Sequence, residues 1–262
     1  MTDDLAALAA WLDQALLAPE PVPELLAKHP GLSVEDAYRL QLAVMQARVG
    51  RGDRIVGYKA ALTSKGMQDE TGIPNPLVGT LLASRVFPEG EPVSLSGRGF
   101  LHATLEPEIA VLLKHDLAGP DAGPLDALAA AAGYLPAVEL GDYRFAGGAG
   151  SEQNAIACNT LNGGIVIGAR LTAPEGIDLR TEGMALYRNG VPVDSGTGVE
   201  VLGDPLNSVA FMANTLARFG LGLKAGMLLM TGSITRSIPL AAGDDIAVAF
   251  TRLGRLDLAI AA

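Results

Sequence analysis

One stretch, Leu105-Glu106-Pro107-Glu108-Ile109-Ala110-Val111, constrains the chain more than any other, because it sets two carboxylates inside an apolar run. A β-strand alternates its side chains between two faces, so as a strand it carries Glu106 and Glu108 on the same side. Two ionised carboxylates held side by side repel each other, and burying either one alone is costly. A divalent cation resolves both problems. Hard oxygen donors suit Mg²⁺ or Mn²⁺, which keep positions open for water or substrate. The competing reading is a solvated strand edge with two charges, and an E-x-E standing alone favours it, since charged side chains mostly sit in water. Pro107 sharpens the choice: it has no N–H to give to a ladder, and it predicts an edge strand or a bulge.

The chain has 262 residues, 49% of them hydrophobic and 18% charged. That is ample for a substantial core, in one large domain or a domain with an appendage. The formal net charge is -10, and no basic stretch resembles a nucleic-acid footprint. Neither nucleic acid nor an anionic membrane surface is expected as a partner. A small acid remains a suitable ligand wherever a metal or a lysine supplies local positive charge. The single cysteine, Cys158, rules out an intrachain disulfide and fits a reducing compartment. The acidic start MTDDLAALAAWLDQALL is unlike a signal peptide, and no apolar run reaches membrane-span length. A soluble, cytoplasmic protein is expected.

Residues 4–17 place Leu5, Leu8, Trp11, Leu12 and Leu16 at helical spacing, and PEPVPE (19–24) ends that helix. Ser33 with Asp36 forms a capping-box-like start for a helix over 34–49. These helices make residues 1–50 an N-terminal cap on residues 51–262, a β-rich metal-binding and catalytic domain. Residues 54–62 read as a buried strand with Lys59 inside it. A lysine is rarely buried without a partner, so Lys59 either snorkels to water or faces a carboxylate-lined site. Residues 63–79 read as a short helix and a loop around Pro74-Asn75-Pro76, and short strands are expected at 86–87 and 92–95. The acidic strand lies within 100–114, a helix over 124–132 ends at Gly133, and a strand over 134–140 carries Glu139. Residues 146–151 look like a mobile loop, and 156–168 like a glycine-containing strand region. Asn189-Gly190 turns a hairpin within 184–193. Asp204 and Pro205 start a helix that runs to Arg218 and stops at Gly220. A strand over 227–231 leads into Gly232-Ser233, and strands 246–250 and 256–260 close a second hairpin. Many short strands with few helices predict an α+β or all-β-rich body.

Three glutamates thus stand in apolar surroundings: Glu106 and Glu108 on one strand, Glu139 on another. On neighbouring strands they would occupy one side of an octahedral ion and leave positions for a chelating 2-oxo acid. The ion would polarise the keto group as a Lewis acid. Lys59 would add positive charge, or shuttle a proton if desolvation lowers its pKa. Backbone N–H groups near Gly232-Ser233 would hold the substrate carboxylate. Lys59 and Glu139 as a purely structural ion pair, and His102 as an ordinary surface histidine, remain open. No G-x-S-x-G, Walker or dinucleotide fingerprint is present.

Several motifs in order resemble the hydratase/decarboxylase branch of the fumarylacetoacetate hydrolase superfamily. They are Gly57-Tyr58-Lys59-Ala60-Ala61-Leu62-Thr63-Ser64, Leu105-Glu106-Pro107-Glu108-Ile109-Ala110 and Val138-Glu139-Leu140-Gly141-Asp142-Tyr143-Arg144, then Asn189-Gly190, Leu202-Gly203-Asp204-Pro205-Leu206 and Met230-Thr231-Gly232-Ser233-Ile234. The resemblance implies an α+β fold: a mixed β-sheet roll with an N-terminal helical part. It implies Mg²⁺ or Mn²⁺ as cofactor, homo-oligomers, and a small 2-oxo acid of aromatic meta-cleavage catabolism as substrate; it leaves room for a complex with a partner enzyme of the pathway. Carried over residue by residue, Glu106, Glu108 and Glu139 are the metal ligands, and Lys59 and His102 are catalytic. Leu77, Asp142, Arg144, Asn159, Thr231, Gly232 and Ser233 form the expected substrate-binding set.

Hydratases of this branch usually carry an aspartate in the loop before the Gly-Thr-Leu matched here by Gly79-Thr80-Leu81. Leu77 stands there and cannot move a proton. The decarboxylases resemble this chain in an apolar residue at that place, in a histidine four residues before the first glutamate (here His102), and in Ser233-Ile234-Thr235. The resemblance therefore points to decarboxylation of a 2-oxo-3-enedioate, whose distal carboxylate is a vinylogous β-keto acid. The alternatives are hydration of a 2-hydroxypenta-2,4-dienoate, C–C hydrolysis of the fumarylpyruvate type, and a non-catalytic metabolite-binding subunit. Pro107, Cys158 and Asp204 depart from the alanine, aspartate and histidine common at those places, which bears on substrate identity.

Overall fold

The computed structural model describes residues 3–145 and 150–262. The expected loop over 146–151 falls largely outside them. The helices are α1 (Asp3–Ala15), α2 (Leu25–Lys28), α3 (Val34–Gly50), α4 (Lys65–Thr71), α5 (Pro124–Ala130), α6 (Glu152–Ala157) and α7 (Pro205–Ala217). The strands are β1 (Ile55–Ala61), β2 (Leu77–Leu82), β3 (Val86–Pro88), β4 (Ala103–Leu113), β5 (Ala131–Asp142), β6 (Asn162–Ile167), β7 (Gly183–Arg188), β8 (Val191–Thr197), β9 (Leu228–Ser233), β10 (Ile238–Pro239), β11 (Asp245–Phe250) and β12 (Arg255–Ala259).

Eight strands form one mixed sheet in the order β2-β1-β9-β4-β5-β6-β3, with β10 also pairing β4. The β1–β9 and β3–β6 pairs are parallel and the others antiparallel. A second, antiparallel sheet runs β12-β11-β7-β8. Strand alternation decides what each face of the large sheet carries. Tyr58, Ala60, Leu105, Ile109, Val111, Val138 and Leu140 are buried in the main apolar core. Their neighbours in sequence point the other way: Lys59, Glu106, Glu108 and Glu139 share a face with a smaller apolar group that includes Ala110, Ala137 and Met230. The charged groups are therefore built into the sheet by its period of two.

The N-terminal helices are stitched to this sheet by polar bonds as well as by packing. Ser33 caps α3 by accepting from Asp36 N at 3.0 Å. From α3, Gln41 Nε2 donates to Val78 O (3.0 Å) and Ile156 O (2.8 Å), while Tyr38 OH accepts from Val78 N at 3.1 Å. These bonds fix β2 and, with it, Leu77. Asp204 caps α7 by accepting from Leu206 N at 2.8 Å, with Pro205 at the first helical position. Ser208 on that helix donates to Thr231 O at 2.6 Å and so ties α7 to β9. Asp204→Ala is expected to lower stability by about 1 kcal/mol. Thermal unfolding beside Asp204→Asn, which keeps a capping oxygen, checks this.

Four local expectations change. Residues 77–82 are a strand, not the tail of a loop: β2 is buried on both faces and shows no alternation to read. Residues 152–157 form α6, capped by Ser151 accepting from Asn154 N, a helix too short to leave a periodic signal. Around Val93 there is only an isolated bridge to Ile260. Pro107, finally, lies in a central strand. Its carbonyl accepts from Ile234 N at 3.0 Å, on the side where the neighbour of β4 changes from β10 to β9 and the register shifts. A strand residue points its N–H and C=O to the same side. The donor that proline lacks thus falls at that irregularity, so the bulge expectation holds and the edge expectation does not.

Candidate metal centre and its pocket

The register of β4 against β5 sets Glu106 directly opposite Glu139, and that of β4 against β9 sets Glu108 opposite Ser233. Glu106, Glu108 and Glu139 each offer a carboxylate oxygen, and these oxygens lie within 4.8 Å of one another. Lys59 reaches the group from β1, its Nζ 2.9 Å from Glu139 Oε1, and both side chains are almost wholly buried. Asn162 Nδ2 donates to the same oxygen at 3.0 Å, and Lys59 Nζ also donates to Thr160 O at 3.2 Å. Gly232 N donates to Glu108 Oε2 at 2.7 Å. Only glycine fits there: φ is +114°, and a Cβ would sit 2.0 Å from Thr63 Oγ1.

Burial, then the Glu139 charge, push Glu106 up to about 7, with Lys59 pulling it part of the way back. The same two causes raise Glu108 well above the ordinary glutamate value. Burial works against the Lys59 ammonium too, but Glu139, Glu106 and Glu108 outweigh it and hold its pKa above the ordinary lysine value. Of the two roles open to Lys59, added positive charge therefore fits its surroundings: it is held as a cation. Fully ionised, the four groups carry a surplus of negative charge. Two buried oxygens, Glu108 Oε1 and Glu139 Oε2, have no hydrogen-bond partner among the described residues. Hard donors, surplus negative charge and orphaned oxygens fit a divalent cation of the Mg²⁺ or Mn²⁺ kind.

Glu106, Glu139 and Lys59 open onto a pocket of about 740 Å³, its mouth included. Hydroxyls line much of it: Thr63, Ser64, Thr160, Ser233, Thr235, Ser237 and Tyr143. Leu62, Met67, Ile73, Leu77 and Leu161 form an apolar wall. Burial pushes the Tyr143 phenol up to about 12, so it stays a proton donor at neutral pH.

The fumarylacetoacetate (FAA) hydrolase C-terminal family model matches residues 53–261. The chain belongs to the fumarylacetoacetate hydrolase family. Within it, the chain is 37% identical over 243 residues to a 2-hydroxyhexa-2,4-dienoate hydratase of Comamonas testosteroni, covering 93% of this chain and 92% of that protein. It is 34% identical over 252 residues to a 4-oxalocrotonate decarboxylase of Pseudomonas putida, covering 96% and 95%. Among solved structures, 4-oxalocrotonate decarboxylase from Pseudomonas putida G7, complexed with magnesium and adipate, superposes with a TM-score of 0.94 at 34% identity, covering 99% of this chain and 98% of that one.

The fold of this family member brings some expected residues together and separates others. Glu106, Glu139, Lys59, Leu77 and Ser233 line the pocket, and Glu108 and Gly232 stand directly behind it. Thr231 is buried in β9, its hydroxyl donating to Ile109 O at 2.9 Å. Asp142, Arg144 and Asn159 do not reach the pocket; they line a second cavity. Asp142 accepts from Leu101 N and His102 N and pairs with Arg144 at 2.7 Å. Asn159 clamps β2 by accepting from Thr80 N (2.7 Å) and donating to Thr80 O (2.9 Å). These three make structural bonds and do not line the glutamate pocket. The reason on β5 is parity: Asp142 lies three residues from Glu139 and faces the other way. His102 is exposed, with Nδ1 2.8 Å from Tyr143 O, and is absent from the pocket wall. Cys158 is buried and its thiol is pushed up by that burial, the opposite of a reactive cysteine.

Apart from Ser233, the hydroxyl wall is not among the residues expected from the sequence, yet its signal is there. Lys59-Ala61-Thr63, Glu139-Gly141-Tyr143 and Ser233-Thr235-Ser237 are three runs of period two that leave the sheet on the pocket side. Thr160 gave no such signal, because it sits in an irregular turn with φ of +50°.

Proposed function

We propose that this family member is a divalent-metal-dependent lyase of aromatic meta-cleavage catabolism that decarboxylates an unsaturated 2-oxo diacid of the 2-oxo-3-enedioate type. The observation that carries this reading is the meeting of Glu106, Glu108, Glu139 and Lys59 in one cluster that opens onto a pocket lined by the apolar Leu77. Glu106, Glu108 and Glu139 hold Mg²⁺ or Mn²⁺, which when bound supplies Lewis acidity to the 2-oxo acid end of the substrate. Ser233 and Thr235 offer hydroxyls for the substrate carboxylate. Decarboxylation breaks one C–C bond, sends its electron pair into the conjugated chain, and leaves a carbon that takes a proton. Leu77 withholds water and hydrogen bonds from the departing carboxylate, so its charge is poorly solvated before the bond breaks and the loss of CO₂ relieves that. Lys59, kept protonated by its glutamates, is the cation that orients the substrate and holds a proton for the product.

Hydration of a 2-hydroxydienoate is the second reading. The hydroxyl-rich wall, with room for ordered water, favours it. Products formed from 2-oxo-3-hexenedioate and from 2-hydroxypenta-2,4-dienoate in Mg²⁺, followed by NMR, separate the two. The decarboxylase reading expects CO₂ from the diacid; hydration of the dienoate alone would overturn it. Leu77→Asp is expected to raise hydration relative to decarboxylation, and an unchanged product ratio would remove Leu77 from the account.

Among the described residues, no helix is long and apolar enough to cross a membrane. A diffusible acid as substrate and a chain with one cysteine, the buried Cys158, support a cytoplasmic setting. Val56, Val86, Leu112, Ile167 and Leu228 are only partly buried around the smaller apolar group, which supports a homo-oligomer that covers them.

A further inference from the structure

A second cavity lies behind the glutamate pocket, at the opposite face of β5. Its charged lining is Arg48, Arg85, Arg144 and Asp142. Arg48 is paired with Asp13 at 3.0 Å, and Arg144 with Asp142 at 2.7 Å. Arg85 has no carboxylate partner among the described residues; its Nη1 donates to Arg98 O at 2.8 Å. Burial and the nearby guanidiniums of Arg48 and Arg144 lower the Arg85 pKa below its ordinary value. Among the described residues Arg144 Nε is buried with no hydrogen-bond partner, while Nη1 also donates to Gly99 O at 2.8 Å and Nη2 to Ala18 O. In a chain of net charge -10, cations have been gathered here beyond what their carboxylates neutralise, with a donor left unused. Guanidinium forks match planar or tetrahedral oxyanions in geometry as well as charge.

The wall between the two cavities is strained. Asn159, Thr160 and Leu161 have φ of +55°, +50° and +62°, three consecutive non-glycine residues in the left-handed region. Such a conformation costs about 1–2 kcal/mol per residue. Leu161 lines both cavities, Asn159 and Asn162 line the arginine cavity, and Thr160 lines the glutamate pocket. Through this wall the arginine side reaches the reacting side directly. Thr160 O accepts from Lys59 Nζ, and Asn162 Nδ2 donates to Glu139 Oε1.

We propose that the arginine cavity is a second ligand site, which binds a small dianionic oxyanion on Arg85 and Arg144, and that its occupancy is felt at Lys59 and Glu139 through residues 159–162. Inorganic sulfate or phosphate and a short dicarboxylate share the chemistry the site recognises. Binding gives the unpaired Arg85 charge a partner, and any shift of the strained wall moves two groups that hold the pocket's charges.

The test is calorimetric titration of the full chain, loaded with Mg²⁺, with sulfate and separately with succinate, at ionic strength fixed by NaCl. Saturable binding is expected, weakened at least about tenfold by Arg85→Gln, as the loss of a charge-assisted bond predicts. Arg85→Lys should retain part of it, which separates charge from misfolding. Succinate binding that survives Glu106→Gln but not Arg85→Gln belongs to the arginine cavity rather than the glutamate pocket, and sulfate binding without succinate binding assigns the site to an inorganic anion. Saturating sulfate should also change kcat in the wild type and not in Arg85→Gln; binding with no change in kcat would overturn the coupling. Equal binding by wild type and Arg85→Gln would overturn the site. So would a wild type indifferent to both anions whose mass in light scattering drops on Arg85→Gln, since the cavity would then receive an acidic side chain of a second copy.

Discussion

Glu106→Gln is expected to lower turnover in Mg²⁺ by at least about 100-fold, the upper end of what even outer-shell partners of metal ligands cost. The same change should make the metal-free protein more stable. In the metal-free state Glu106 is a carboxylate forced beside Glu139 in a largely buried site, and its pKa of about 7 records the cost of ionising it there. Glutamine keeps the shape and removes the charge. The sign follows from proton counts. Both Glu106 and Glu108 have folded pKa values above the ordinary 4.5, so between pH 4.5 and about 7 the folded chain holds more protons than the unfolded one. Stability of the metal-free protein therefore falls as pH rises through that window. A bound dication displaces those protons, so Mg²⁺ should raise Tm more at pH 8 than at pH 5.5. Thermal unfolding of wild type and Glu106→Gln at both pH values, with and without Mg²⁺, reads all of this. An equal Mg²⁺ shift at the two pH values, or a Glu106→Gln protein less stable than wild type without metal, would contradict it.

The second large effect is expected at Lys59. Lys59→Met should cut kcat by about 10²–10⁴, the usual contribution of a positioned proton-transfer group. Divalent-metal affinity should be retained, because the three carboxylates are untouched. Stability should divide by metal content. Without metal, Glu139 loses its cation, and an unpaired buried charge costs about 3–5 kcal/mol. With Mg²⁺ most of that penalty should vanish. Parallel measurements of kcat, KM and Tm in metal-free and Mg²⁺-loaded protein test the assignment. A variant that keeps kcat but unfolds early in both states would make Lys59 a structural partner of Glu139 and nothing more.

Much of this site was readable because its elements obey simple periodic rules. Glu106 and Glu108 share a face wherever 103–113 is extended, and Asn189-Gly190, with both φ values positive, turns the hairpin between β7 and β8 as two such residues should. Asp204-Pro205 starts α7 as a cap and a first-turn proline should. The opposition of Glu106 to Glu139 was not readable, since the strand register belongs to the fold and not to either strand. The sequence around Leu77 reads as a loop because Pro74-Asn75-Pro76 and Gly79 surround a strand that, buried on both faces, has no polar alternation. For Asp142, Arg144 and Asn159 only likeness of motif points to the substrate, and face parity on β5 turns Asp142 to the other side. Pro107 misled in part, because only the change of neighbour from β10 to β9 makes its missing donor harmless.

The measurement that bears most directly on the metal centre is a Mn²⁺ titration followed by EPR on the wild type, Leu77→Asp, and the Glu106→Gln, Glu108→Gln and Glu139→Gln variants. A single tight Mn²⁺ is expected in the wild type and in Leu77→Asp, with at least about 100-fold weaker binding in each glutamine variant. Mn²⁺ bound with wild-type affinity in each of the three glutamine variants would place the metal elsewhere and contradict the assignment of the three glutamates as its ligands.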